Sequence, residues 1–482
     1  MQLSKKNILP VLIFSLLALL IPALTWVGSM ELKYSFMVLG GIMGAATCVV
    51  CLTNYRLGYY IVITVCFTIR LLERMAGAEF PVGVIQDVLL GCTLLGSIFS
   101  RRRDELVKVP LLRDPLIIVF TIYGAYLLLQ FLNPNAITTG GTRLFTRVYL
   151  RNMILVLLSI KMINSMQDLR TFFKYWITMC TLAAVYACIQ EWVGLLPFER
   201  RYISLYPDKF KTVVLLTGTR VFSFLSDPAV LGIILACCTA IIAPLLTASA
   251  KTISAGKKLL LFVALVLQIL ALGYSGTRTG YVMVPMGLLI FFLANLHNRN
   301  TIIGAMVFGL AFLAILFGPF HSNPTIVRVR TAFVGSNSDE SLNVRDVNRH
   351  RIQPYIYQHP IGGGLMTAGV EGEKYNPGHV LAGFPPDSGY LRTALEQGWI
   401  GLILTCLYLY MMLCYAVKNY FRAREQIDKL LLIGVAGALF AGVVGQYAQE
   451  TTGLFESAIM VYAFAGISIK TKYLLSTNTK AT

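Results

Sequence analysis

Arg220, Arg278 and Arg345 stand in three separate polar segments of a chain otherwise dominated by apolar runs. Each guanidinium stays charged and offers a planar fork of donors that fits two phosphate oxygens at once. Arg220 shortly precedes Ser226-Asp227-Pro228, where Ser226 or Asp227 can cap a helix and Pro228 suits its first turn. Arg278 lies in the small-residue turn running from Gly273 through Ser275 and Gly276 to Gly280. Arg345 opens a stretch that continues through Arg349, Arg351, Tyr355 and His359 to Pro360 and the glycines Gly362 to Gly364. A fourth segment, Pro386-Asp387-Ser388-Gly389-Tyr390-Leu391, supplies a carboxylate. Three cations and one carboxylate suit displacement of a phosphate-bearing leaving group: the cations stabilise the departing charge while the carboxylate takes the proton of an incoming hydroxyl.

Each residue also has an ordinary use. Arg220 and Arg278 can anchor helices at the headgroup boundary, and Arg345 can pair with Asp346 or Glu340. Asp387 can be the N-cap of a helix beginning near Gly389. His379 and His359 are alternative proton acceptors. The five histidines are scattered without metal-ligand spacing, so neither a metal nor any other cofactor is expected.

The elements that must position these residues are membrane helices. With 482 residues, 56% hydrophobic and only 13% charged, and a mean hydropathy of +0.69, the composition excludes an ordinary soluble globular protein. Apolar runs predict spans near 8–28, 32–52, 57–73, 80–100, 114–132, 146–165, 172–194, 228–248, 259–275, 279–296, 301–319, 389–416, 429–447 and 451–469. Some are short, so the expected fold is an all-α polytopic integral membrane protein of about 12–14 transmembrane helices, with the first run retained. The ten cysteines fall almost entirely in apolar runs and read as buried small side chains.

A net charge of +18 would suggest nucleic acid in a soluble chain. Here alternate connections carry Arg56, Arg101 to Arg103, Arg170 and Lys174, Lys257 and Lys258, Arg299, and Lys418 with Arg422, which marks them as cytoplasmic and places both termini inside. No nucleic acid partner is expected. The same topology puts an exterior connection near 195–227 and a large exterior loop at 320–388, dividing the chain into membrane helices 1–319, the loop, and helices plus tail 389–482. Cations assigned to the exterior face call for an anion. Arg143 and Arg147 can extend a phosphate-binding surface, and Arg200, Tyr202 and Lys209 can contact saccharide or anionic lipid.

The order of these motifs resembles the bacterial O-antigen ligase and polysaccharide polymerase superfamily, membrane glycosyltransferases that use undecaprenyl-diphosphate-linked sugars. The resemblance is strongest over residues 215 to 405. An Arg before a span matches Arg220, and a Ser-to-Arg turn matches Ser275 to Arg278. A loop that opens on an Arg and passes through a Pro-x-x-Gly-x-Gly-like run matches Arg345 and Pro360 to Gly364. The closing His-Asn-x-Tyr-Leu and Glu-x-Gly pattern meets Asp387-Ser388-Gly389-Tyr390-Leu391 with Glu396 and Gly398. Asp387 thus stands where the ligases carry a histidine, a departure that looks more like some polymerases.

The resemblance implies a GT-C-like fold in the bacterial cytoplasmic (inner) membrane with its site on the periplasmic or extracellular face. It implies an undecaprenyl-diphosphate-linked oligosaccharide as donor, a saccharide or glycolipid as acceptor, membrane lipids as surroundings and a chain-length regulator as a further partner. Arg278, Arg220 and Arg345 would stabilise the leaving diphosphate and Asp387 would act as base, with Arg349, Arg351, His359, His379 and Tyr390 near the substrate. Direct displacement would invert the anomeric centre without a metal. Polymerisation is the leading reading; ligation to lipid A-core and protein O-glycosylation share the donor chemistry. A lipid or polysaccharide transporter is the rival class, but it would more naturally show paired internal repeats.

Overall fold

The computed structural model describes residues 32–77, 80–100, 107–215, 218–319, 324–333, 340–453 and 455–480. It is an all-α polytopic membrane protein whose only described sheet is a two-stranded hairpin. Among the described residues nine helices are long and apolar enough to cross a membrane, and three shorter apolar helices accompany them. The span expected at 8–28 lies outside the described residues.

The chain separates into two compact units, one of residues 1–62 and 84–101 and one of 63–83 and 102–482. The first holds α1 (Leu32–Thr53), the start of α2 (Tyr55–Ala76) and most of α3 (Val82–Phe99). The second holds every candidate catalytic and substrate-binding residue named above.

The second unit begins with the end of α2 and continues with α4 (Pro115–Leu129), α5 (Gly140–Met162) and α6 (Met166–Trp192). Short helices α7 (Pro197–Leu205) and α8 (Pro207–Val213) and strands β1 (Val214–Leu215) and β2 (Gly218–Thr219) form the connection expected near 195–227. Then come α9 (Pro228–Leu246), α10 (Ala255–Ser275), α11 (Arg278–Ala294) and α12 (Arg299–Phe317). The stretch expected as an exterior loop contains α13 (Pro324–Phe333), α14 (Glu340–Gln358) and α15 (Gly369–Tyr375), before α16 (Gly389–Arg422), α17 (Gln426–Ala448) and α18 (Phe455–Lys480).

Helix α9 is apolar on all sides and its span is 83% buried, so it forms the core of this unit, packed by α10, α11 and α17. Close approach depends on small side chains: a Cβ on Gly437 would lie 2.5 Å from the Gly287 carbonyl oxygen. Cys237 and Cys238 on α9 and Cys180 on α6 are buried as packed small residues, whereas Cys406 on α16 is exposed.

One end of the bundle is fastened by ion pairs. Arg170 meets Asp428 at 2.8 Å, and Lys472 meets Asp114 at 2.9 Å, where Asp114 also caps α4. Several boundaries differ from expectation, among them the start of α6 at Met166 instead of near 172 and the end of α16 at Arg422 instead of near 416. The last helix continues to Lys480 instead of ending near 469, because Lys470 donates to the Val107 carbonyl at 2.6 Å and Lys472 to Asp114, so the supposed tail is packed. Helix α5 starts at Gly140, six positions before the apolar run, which brings Arg143 into the same helix as Arg147.

Candidate active site

The β1–β2 hairpin hands the chain to Arg220, whose side chain is pinned to the turn after α10. Its Nε donates to the Ser275 carbonyl at 2.8 Å, Nη1 to the Thr212 carbonyl at 3.2 Å, and Nη2 to Thr277 Oγ1 at 3.2 Å. Gly276 ends α10 with φ +63°, and a Cβ there would lie 3.2 Å from both Arg220 Cγ and Arg328 Nη1. Arg278 is the first residue of α11, two residues past that glycine. Three guanidinium groups therefore gather around one turn. Burial pushes the Arg220 guanidinium below its ordinary value, Asp227 opposes the shift, and the nearby Arg328 adds to it. A concentration of like charge at the edge of a membrane bundle is suited to binding an anion. Beside it lies a cavity of about 480 Å³ lined in part by Glu191, Tyr274, Thr325 and Arg328.

Asp227, not Ser226, caps α9, accepting from the amides of Ala229 at 2.8 Å and Val230 at 3.0 Å with Pro228 in the first turn. Ser226 instead donates to Glu456 at 2.9 Å.

The C-terminal end of α17 links the Arg turn to Asp387. Met283 on α11 packs against Gly445, Ser388 Oγ donates to the Gln446 carbonyl at 3.3 Å, and Tyr390 donates to the Val443 carbonyl at 2.9 Å. Arg349 joins there through its 2.9 Å hydrogen bond to the Tyr447 hydroxyl, its guanidinium 4.6 Å from the ring centre. Asp387 is half-buried just before α16. The N-cap is Ser388, which accepts from the Leu391 amide at 3.4 Å, so the capping use considered for Asp387 falls to its neighbour.

The remaining residues singled out in the sequence are more dispersed. Arg345 lies on α14, but its side chain is outside the described residues. Arg351 is exposed on the same helix. Arg200 is exposed and donates to the Leu195 carbonyl at 2.8 Å, Tyr202 packs against the Ile203–Val213–Phe222 cluster, and Lys209 is half-buried on α8. His359 stacks on Tyr355 with ring centres 4.0 Å apart. His379 Nδ1 accepts from the Leu381 amide at 3.1 Å, and burial lowers the imidazole's pKa. Arg143 and Arg147 are exposed on α5.

Two features escaped the sequence reading. Arg328 on α13 donates to the Gly218 carbonyl at 3.2 Å and stands beside Gly276, and nothing local in the sequence ties it to either glycine. Arg392 binds Glu371 at 2.9 Å, Glu396 at 3.2 Å and Glu450 at 2.6 Å; only the four-residue spacing to Glu396 was visible as a pattern.

A search of curated proteins finds no match for this chain. A family model described as O-antigen ligase matches residues 263–406, a stretch that contains Arg278, the Arg345 helix, Pro360 to Gly364, Asp387 and Gly398. Residues 263–406 of this membrane protein are thus similar to an O-antigen ligase domain, a likeness that supports the superfamily which the ligases share with the polysaccharide polymerases.

Proposed function

We propose that the protein is a polysaccharide polymerase that transfers a glycan from undecaprenyl diphosphate to a lipid-linked repeat unit on the outer face of a bacterial cytoplasmic membrane. The observation that carries this reading is the approach of two chemistries to one end of the bundle. Arg220, Arg278 and Arg328 gather at the Gly276 turn, while Asp387 stands beside the end of α17 against which α11 packs.

In the proposed step an acceptor hydroxyl oxygen attacks the anomeric carbon, and the carbon–oxygen bond to the diphosphate breaks. The bonding electron pair leaves with the lipid diphosphate, where the guanidinium groups stabilise it. The hydroxyl proton passes to the Asp387 carboxylate. One displacement inverts the anomeric configuration, and NMR comparison of donor and product linkages reads that outcome.

Purified protein supplied with the lipid-diphosphate oligosaccharide alone should lengthen it, as seen by gel and mass spectrometry. Product that appears only when a lipid A-core acceptor is added would replace polymerase with ligase. Arg278→Ala should lower turnover by about 10²-fold or more, and Arg278→Lys should recover little because the fork of donors is lost. Near-normal turnover in Arg278→Ala would remove that residue from the mechanism.

A further inference from the structure

Helix α5 carries Arg143, Arg147 and Arg151 at intervals of four and no acidic residue anywhere in its 23 positions. That spacing sets the three guanidinium groups along one side of the helix, over a rise of about 12 Å. Arg143 and Arg147 are exposed, whereas Arg151 is half-buried and lines a cavity of about 190 Å³. The ladder therefore descends from the start of the helix to the wall of an internal chamber.

The chamber has the chemistry of a sugar subsite. Tyr123, Tyr149, Tyr408 and Tyr462 line it with aromatic side chains, the Tyr123 and Tyr149 hydroxyls donating to Gln397 and to the Phe120 carbonyl, and Asn152 adds an amide. Glu371 and Glu450 line it as well, carboxylates able to accept from hydroxyls and held in place by the guanidinium of Arg392, which also lines it. Gln446 is part of the wall, and its carbonyl accepts from Ser388, the residue after Asp387. Elements differ from those of the first anion cluster: α5 packs on α18 and α4, whereas α11 packs on α17 and α9.

We propose that Arg143, Arg147 and Arg151 seat the diphosphate of a second lipid-linked glycan, the acceptor, whose terminal sugar enters the tyrosine-lined chamber on the Asp387 side. This rests on the transferase reading and adds to it a second lipid-diphosphate site, distinct from the Arg220–Arg278–Arg328 cluster. A headgroup phosphate and a polyprenyl diphosphate share the chemistry that guanidinium recognises, so the test must separate them.

Native mass spectrometry of the full chain in phosphatidylcholine nanodiscs, titrated with undecaprenyl diphosphate, should show two bound lipids. Arg147→Gln with Arg151→Gln should leave one, weakening the lost site about tenfold or more, and Arg278→Gln should weaken the other. Should the double variant fold poorly, Arg147→Gln alone, at an exposed position, should still weaken the second site, and Arg151→Lys should retain more binding than Arg151→Gln. A single bound lipid in the wild type, two unweakened lipids in the double variant, or equal displacement by phosphatidylglycerol would overturn the proposal. Turnover separates the two readings. Two bound diphosphates without glycan transfer would sink the transferase reading and keep the second site; chain elongation at full rate with the ladder neutralised would do the reverse.

Discussion

The backbone N–H of Trp399 donates to the carbonyl of Pro360 at 2.9 Å across a break in α16. At Gly398 the backbone turns to φ 67°, ψ −163°, which interrupts the helical hydrogen-bond ladder. The carbonyls of Leu395 and Glu396 then accept from the amides of Gly363 at 2.8 Å and Gly364 at 2.9 Å, and Tyr126 donates to the Gln397 carbonyl. The Pro360-to-Gly364 run and the Glu396-to-Gly398 run are two halves of one joint. Glu396 extends it by accepting from the amides of Met366 at 3.0 Å and Ala368 at 3.3 Å. The joint fastens the middle of the 320–388 stretch to α16, the helix that Asp387 precedes.

Gly398→Ala should disrupt this joint. A Cβ there would lie 1.9 Å from the Pro360 oxygen, and the positive φ adds strain. Thermal unfolding in detergent should show a loss of roughly 3 kcal/mol or more, together with lost transfer. Gly442→Ala on α17, where a Cβ meets nothing within 4 Å, should stay within about 1 kcal/mol of wild type. Equal stability of the two variants would show that the joint contributes nothing.

Ser388 and Asp387 should separate capping from chemistry. Ser388→Ala removes the cap of α16 and should cost about 1 kcal/mol while leaving appreciable turnover. Asp387→Asn should keep the melting temperature and abolish transfer. Turnover within a few-fold of wild type in Asp387→Asn would assign the base elsewhere.

Arg392 is the shared partner of three carboxylates, one of them the fully buried Glu396. Arg392→Met leaves that negative charge uncompensated and should cost about 3–5 kcal/mol. Adding Glu450→Gln should restore part of the loss. If the double variant is no more stable than Arg392→Met, the charge argument fails.

His379 should make stability depend on pH. Its imidazole titrates below the ordinary 6.5 because burial disfavours the charged form, with His359 acting in the same direction. Between 6.5 and that lower value the unfolded chain binds more protons than the folded one, so stability is present above 6.5 and is lost as pH falls through the folded value. Melting temperatures recorded from pH 7.5 to 5 should fall less steeply for His379→Gln than for wild type. Parallel curves would remove His379 from the dependence.

The sequence by itself determined the membrane class, the approximate position of each described span, the helix start at Asp227-Pro228 and the grouping of Arg220 with the Ser275–Arg278 turn as candidates. These follow from short-range chemistry: apolar length, a capping carboxylate followed by proline, and small residues in a turn. Tertiary structure decided that Pro360 and Gly398 form one joint, that Arg328 stands beside Arg220, and that Arg392 meets Glu371 and Glu450. It also decided that α5 begins early enough to align Arg143 with Arg147 and Arg151. Those relationships join residues tens to hundreds of positions apart or shift a helix end, and hydrophobic periodicity carries no record of which distant polar group a side chain will meet.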